Sequence, residues 1–241
     1  MRLPTFVMLA FALMSCGPAP ERPPRDTTTA TPEAERPLGA PDTALLCRDI
    51  LNSHQCAQVI ERHILGRGAP AVVRHGRSLE IRLATGVSRR FVDSLPDRPD
   101  GEWFSYRGFL AQANHHVLHV QFYEGDGYLL VHTRTGATTP SVGLPVLSPD
   151  ARRIAAANVD LDAEYSPTAL QIWRVEADRL VLEWERDFVQ QPVTPDRLWG
   201  PGDLTWVSPT ELRVSRDYGM AGPRGSARLR LGPTGWALTV E

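Results

Sequence analysis

His115, His116 and His119 are the densest cluster of side chains in this 241-residue chain that could bind a metal ion or move a proton near neutral pH. They lie where Leu118, Val120 and Phe122 alternate with His119, Gln121 and Tyr123, the period of a β-strand. On a strand, His115 and His119 share a face but stand about 13 Å apart, too far for both to reach a zinc or copper ion about 2.1 Å from each nitrogen. The spacing predicts a solvated strand face and no metal site. Asp160-Leu161-Asp162-Ala163-Glu164 opens like a calcium loop, but Tyr165 and Gln171 stand where the sixth-position glycine and twelfth-position glutamate belong. It reads as polar loop decoration. There is no Gly-x-Ser-x-Gly elbow, no His-Glu-x-x-His pair and no phosphate-binding glycine loop, and neither Cys47 nor Cys56 has the partners of a catalytic thiol. No catalytic residue and no cofactor follow from the sequence. Among the tryptophans, Trp173, Trp184 and Trp236 fall inside strand patterns and read as core. Trp199, in Leu198-Trp199-Gly200-Pro201-Gly202, reads as exposed and pairs with Tyr165 as a candidate partner contact. Their loops, Asp160–Ser166 and Gln190–Gly202, are the longest irregular stretches.

The clearest motif concerns address, not chemistry. A basic Met1-Arg2 start is followed by an apolar run, Leu3 to Met14, too short to span a bilayer and laid out like a signal peptide. Leu13-Met14-Ser15-Cys16 then resembles the bacterial lipobox, which implies removal of residues 1–15, lipidation of Cys16 and attachment to a membrane through acyl chains. An incidental cysteine after an ordinary secretory signal is the alternative. Gly17 after the cysteine favours the outer membrane by analogy with enteric sorting. Residues 16–43, with Pro18, Pro20, Pro23, Pro24, Pro32, Pro37 and Pro41, carry almost no large apolar side chain and are expected to form a disordered, semi-extended tether.

Residues 44–241 suffice for one folded domain. A net charge of −2 leaves no nucleic-acid footprint. Every basic residue is Arg and none is Lys, scattered without clusters. Asn52 with Gln55 resembles a capping box, and Cys56, Val59, Ile60, His63 and Ile64 form the stripe of an amphipathic helix over about 53–65, with Gly66 as its stop. On one continuous helix Cys47 and Cys56 would be about 13 Å apart, so a disulfide needs a chain reversal near Asn52-Ser53. In an exported chain that pair is expected, against two reduced thiols. Residues 70–241 then read as β: Leu79, Ile81 and Leu83; a hairpin at Glu124-Gly125-Asp126-Gly127; Leu180, Leu182 and Trp184; and a closing hairpin through Gly232-Pro233-Thr234-Gly235.

Two segments repeat. Val146-Leu147-Ser148-Pro149-Asp150-Ala151-Arg152-Arg153-Ile154-Ala155 aligns with Val207-Ser208-Pro209-Thr210-Glu211-Leu212-Arg213-Val214-Ser215. The first copy, with Leu170-Gln171-Ile172-Trp173 downstream, resembles the blades of bacterial β-propellers such as the Tol-system propeller and tryptophan-aspartate repeat proteins. It departs from them at Ala151, where a glycine is usual, and at Trp173-Arg174. With Gln58-x-Ile60-Glu61, Phe122-Tyr123-Glu124-Gly125 and Gly143-Leu144-Pro145-Val146, the chain looks like an uncharacterised family of exported bacterial lipoproteins. The resemblance implies a mainly β, antiparallel meander of propeller type, irregular or incomplete, with about four blades and one N-terminal amphipathic helix. The expected role is a membrane-anchored, non-enzymatic binding or scaffold module of the cell envelope for a protein or glycan partner. The alternative is a hydrolase or metal-dependent enzyme with its site at the mouth of a propeller channel.

Overall fold

The computed structural model describes residues 37, 40–95, 100–193 and 197–241; the signal segment 1–15, Cys16 and most of the expected tether lie outside them. The protein is mainly β, with four antiparallel sheets, two α-helices and two short 3-10 turns among the described residues. None of these helices is long and apolar enough to cross a membrane.

Two helices, instead of the one expected, precede the sheets. Helix α1 (Ala40–Leu46) begins inside the stretch read as tether. The chain then turns, with the Ile50 amide donating to Cys47 O, and enters α2 (Ser53–Gly66). Asn52 Oδ1 accepts from the Gln55 amide at 2.9 Å and caps the first turn of α2, while Ala57, Ile60 and Ile64 bury one face. That reversal brings Cys47 and Cys56 into a disulfide with Cα atoms 5.4 Å apart. Helix α2 runs through Gly66 and ends at Arg67, so the left-handed exit falls to Gly68 (φ +104°) and not to Gly66.

Each sheet is a meander of consecutive strands. The first contains β1 (Val72–His75), β2 (Ser78–Arg82) and β3 (Ser88–Val92); the second, β4 (Trp103–Leu110), β5 (His115–Gln121), β6 (Asp126–His132) and β7 (Thr138–Ser141). The third contains β8 (Val146–Leu147), β9 (Arg153–Asn158), β10 (Ala169–Val175) and β11 (Leu180–Asp187); the fourth, β12 (Gly200–Ser208), β13 (Glu211–Asp217), β14 (Pro223–Gly232) and β15 (Gly235–Val240).

Three core layers lie between these units. Ile60 and Ile64 of α2 pack with Leu79, Ile81, Tyr106, Leu118 and Val131, joining the helix to the first two sheets. Val117 and Leu130, on the opposite face of the second sheet, pack with Ile154, Ala156 and Trp173 of the third. Ala155, Leu170 and Ile172 pack with Phe188, Trp199, Leu212, Val214 and Leu229, joining the third sheet to the fourth. Strand β9 is thus buried on both faces, and its small side chains, Ala155 and Ala156, permit close approach from either side.

Polar contacts stitch the last two sheets. Trp206 Nε1 donates to Val146 O, Trp236 Nε1 to Glu183 Oε2, and Arg153 pairs with Glu183 while its guanidinium lies 5.6 Å from the Trp236 ring centre. The two Ser-Pro turns meet here, since Arg153 Nη1 also donates to Pro209 O. In the first turn Ser148 Oγ bonds Asp150 Oδ1 at 2.7 Å and accepts from the Arg153 amide. Ala151 consequently takes φ +57°, a left-handed conformation that favours glycine. At Gly143 the constraint is space: a Cβ there would stand 1.9 Å from Ala157 O, a backbone atom that cannot swing aside. Ala151→Gly should therefore stabilise the protein by about 0.5–1 kcal/mol, whereas Gly143→Ala should destabilise it by about 2 kcal/mol or more. Urea unfolding midpoints of the two variants check both signs.

Candidate functional site

A cleft of about 180 Å³ opens between α2, the first sheet and the edge of the second. Its floor is an ion triad. Arg74, on β1, donates through Nε and Nη2 to the two Glu61 oxygens at 2.8 Å each, and through Nη1 to Asp93 at 3.0 Å. The same guanidinium bonds Phe104 O. Glu61 Oε2 also accepts from the Tyr106 amide at 2.7 Å, and Asp93 Oδ1 from the Phe104 amide at 2.8 Å. Burial raises the Asp93 pKa above its ordinary value, outweighing the Phe104 N–H and Arg74, which favour the charged form. Both carboxylates are fully engaged, so neither is free to act as a base.

The rim carries polar groups and the Arg62 side chain. His54 Nδ1 lies 3.3 Å from Gln121 Oε1, and its Nε2 lies 3.0 Å from Gln58 Nε2. Trp103 meets the His54 ring edge-on at 5.8 Å. Ser105 Oγ, buried in the cleft wall, has no hydrogen-bond partner. Of these residues, the sequence reading named Gln58, Glu61 and Gln121, as parts of patterns. The rest come from strands far apart in sequence and leave no local motif.

Structure corrects the expected solvated histidine face, because every residue of β5 is buried. One face of the second sheet packs on α2 and the first sheet, the other on the third. His115 Nδ1 donates to Ala113 O, His116 Nδ1 is hydrogen-bonded to the Tyr106 hydroxyl at 3.1 Å, and His119 Nε2 pairs with Asp126 at 2.5 Å. Among the described residues, no three His, Cys, Asp or Glu side chains are placed to hold one metal ion.

A second correction concerns Trp199. Trp199 is 1% exposed, packed edge-on against Phe188 at 4.9 Å, because it enters the core between the third and fourth sheets immediately before β12. It cannot offer a surface to a partner. Tyr165 is exposed, beside a shallow depression with Asp160, Asp187 and Gln190. The Asp160 carboxylate accepts four backbone amides, from Ala163, Glu164, Tyr165 and Ser166. Burial would raise its pKa, but these four donors outweigh burial and hold it below the ordinary value. The acidic loop is thus stapled by its own backbone. Ser166 Oγ ties it to the second sheet by accepting from the Asp126 amide and donating to Asp126 O. Residues 194–196 of the other expected partner loop lie outside the described residues.

No family model and no curated protein matches the chain. Among solved structures it is similar to a protein from Lactobacillus plantarum, at 14% identity and a TM-score of 0.34, over 68% of this chain and 49% of that one. It is similar also to a protein from Bacteroides uniformis provisionally named 6-phosphogluconolactonase, at 14% identity and a TM-score of 0.33, over 70% of this chain and 55% of that one. The chain thus spans about half the length of each.

The buried histidines make stability depend on pH. Burial lowers the pKa of His115 and His116 to about 4 from 6.5, with His132 adding to the shift at His115 and His115 at His116. Above pH 6.5 both rings are neutral whether the chain is folded or not. Between about pH 6.5 and 4 the unfolded chain binds more protons, so stability falls as pH falls, by about 3 kcal/mol for each ring. Urea midpoints from pH 7.5 to 4.5 should show this decline, and His116→Phe, which keeps a ring against Phe109, should roughly halve it.

Proposed function

We propose that this chain is a lipid-anchored protein of the bacterial cell envelope, attached at Cys16 to the outer membrane, that binds a glycan through the cleft beneath α2. The observation that carries the binding role is the division of labour in that cleft. Arg74 bridges Glu61 and Asp93 in its floor, and the other groups lining it are two carboxamides, an imidazole, the Arg62 guanidinium and a hydroxyl around an indole. Donors and acceptors beside an aromatic wall suit a polyhydroxylated ligand, which stacks its apolar ring face while pairing its hydroxyls. We further read the four sheets as blades of an irregular, four-bladed propeller. Supporting this, each sheet is a meander of consecutive strands, successive sheets pack through shared core layers, and the third and fourth repeat the Ser-Pro turn.

The test has two arms. In cell fractions, Cys16→Ala should move the protein out of the membrane pellet, and Trp103→Ala should leave it there. In Trp-fluorescence titrations with soluble cell-wall glycan fragments, Trp103→Ala and Gln58→Ala should each weaken binding about tenfold. A protein that stays membrane-bound without Cys16 contradicts the anchor, and binding unchanged in both cleft variants contradicts the glycan site.

A further inference from the structure

We infer that Ser105, His119 and Asp126 form a serine acyl-transfer centre that opens into the cleft. The register of β4 and β5 sets Ser105 directly opposite His119. Directly opposed residues share a sheet face, with Cβ atoms about 4.5–5.5 Å apart. From that distance a rotation about one side-chain bond brings a serine hydroxyl within hydrogen-bonding reach of an imidazole.

Asp126 sets the state of the ring. A carboxylate only accepts, so His119 Nε2, 2.5 Å from Asp126 Oδ2, is the donor, and Nδ1 is the nitrogen that accepts a proton when the ring acts as a base. The ring is fixed further by stacking on Tyr128, its neighbour across β5 and β6, at 5.0 Å. His119 Nδ1 is buried with no partner, and so is Ser105 Oγ. Arg107 Nε, at the bulge that follows Ser105, is a third such atom. These are three of the six buried, unpartnered side-chain polar atoms among the described residues, gathered on one strand pair. A buried polar atom left without a partner carries its full desolvation cost, so their grouping is best accounted for by a state in which they engage one another or a substrate.

The layout suits nucleophilic catalysis. Ser105 lines the cleft with its Oγ buried in the wall, His119 is buried on the adjacent strand, and the half-exposed Asp126 lies on the far side of the ring. Against a carboxylic ester, Ser105 Oγ forms a bond to the carbonyl carbon while its proton passes to His119 Nδ1. Asp126 steadies the imidazolium, and the Arg107 guanidinium is the cation available to the oxyanion. The ester C–O bond then breaks, and the departing alcohol takes the proton from Nδ1. Water, deprotonated by the same nitrogen, adds to the acyl-serine, releases the acid and returns the proton to Oγ. The cleft volume of about 180 Å³ limits the acyl group to a small one. Only the choice of an O-acylated sugar as the natural ester rests on the glycan reading; the centre itself does not.

The experiment uses a fluorophosphonate probe on the folded protein, with peptide mapping by mass spectrometry. A single adduct on Ser105 is expected, lost in Ser105→Ala, abolished in His119→Ala and slowed at least tenfold in Asp126→Asn. Asp126 lies at the surface, so the last variant retains the fold even where loss of the buried His119 does not; circular dichroism verifies each. No adduct on Ser105 in the folded wild type overturns the proposal, as does labelling at an unchanged rate in Asp126→Asn. Labelling of Ser105 without glycan binding would refute only the glycan reading, and glycan binding without labelling would refute only this centre.

Discussion

One guanidinium closes the open edge of the second sheet. Strand β4 is the first strand of that sheet, paired on one side only, and an unpaired edge exposes a row of amides and carbonyls. Among the described residues no further strand covers it. The Phe104 and Tyr106 amides instead donate to Asp93 and Glu61, and Phe104 O accepts from Arg74, which also joins the two carboxylates. Side chains from α2 and the first sheet thus replace the hydrogen bonds that a fifth strand would make. Because Glu61 belongs to α2, Arg74 to β1 and Asp93 follows β3, the same contacts fix the helix and the first sheet onto the second.

The cleft is a consequence of that joint. A helix held by ions at its inner face stands off the sheet edge at its N-terminal end, and His54, Gln58, Trp103 and Gln121 line the resulting gap. A buried ion triad of this kind contributes little net stability against an apolar replacement of equal volume, but removing one member leaves uncompensated charge and costs about 3–5 kcal/mol. Its role is positional. Deeper in the molecule the constraint changes from charge to volume: alanines in β9 and the Gly143 approach to Ala157 let the third sheet pack between its neighbours.

What was legible in the sequence was local. The Asn52 cap and the Ile60-Ile64 stripe lie within about three to four turns of one continuous helix, so α2 could be read almost to the residue. The hairpins at Gly125 and Gly235 announce themselves because both glycines take positive φ. What was not legible depends on a second element. Alternation in β5 shows two faces but not that a helix covers one and another sheet the other, so its histidines read as solvated. Trp199 sits among Gly and Pro, the composition of a loop, and its burial is explained only by Phe188, just after β11, and the core between the third and fourth sheets. The joint itself spans 13 residues from Glu61 to Arg74, 19 from Arg74 to Asp93 and 30 from Arg74 to Phe104, and no spacing rule connects strands of different sheets. Ser105 and His119 likewise meet only through strand register.

Amide hydrogen exchange at Phe104 and Tyr106 measures the joint directly. In the wild-type protein these two edge amides should exchange as slowly as those paired within the ladder of β4 and β5. Arg74→Met, which keeps the side-chain length but frees both carboxylates from their cation, should speed both by at least about a hundredfold while the ladder amides of the fourth sheet change far less. Exchange at Phe104 and Tyr106 that is fast in the wild type, or unchanged in Arg74→Met, would contradict the account.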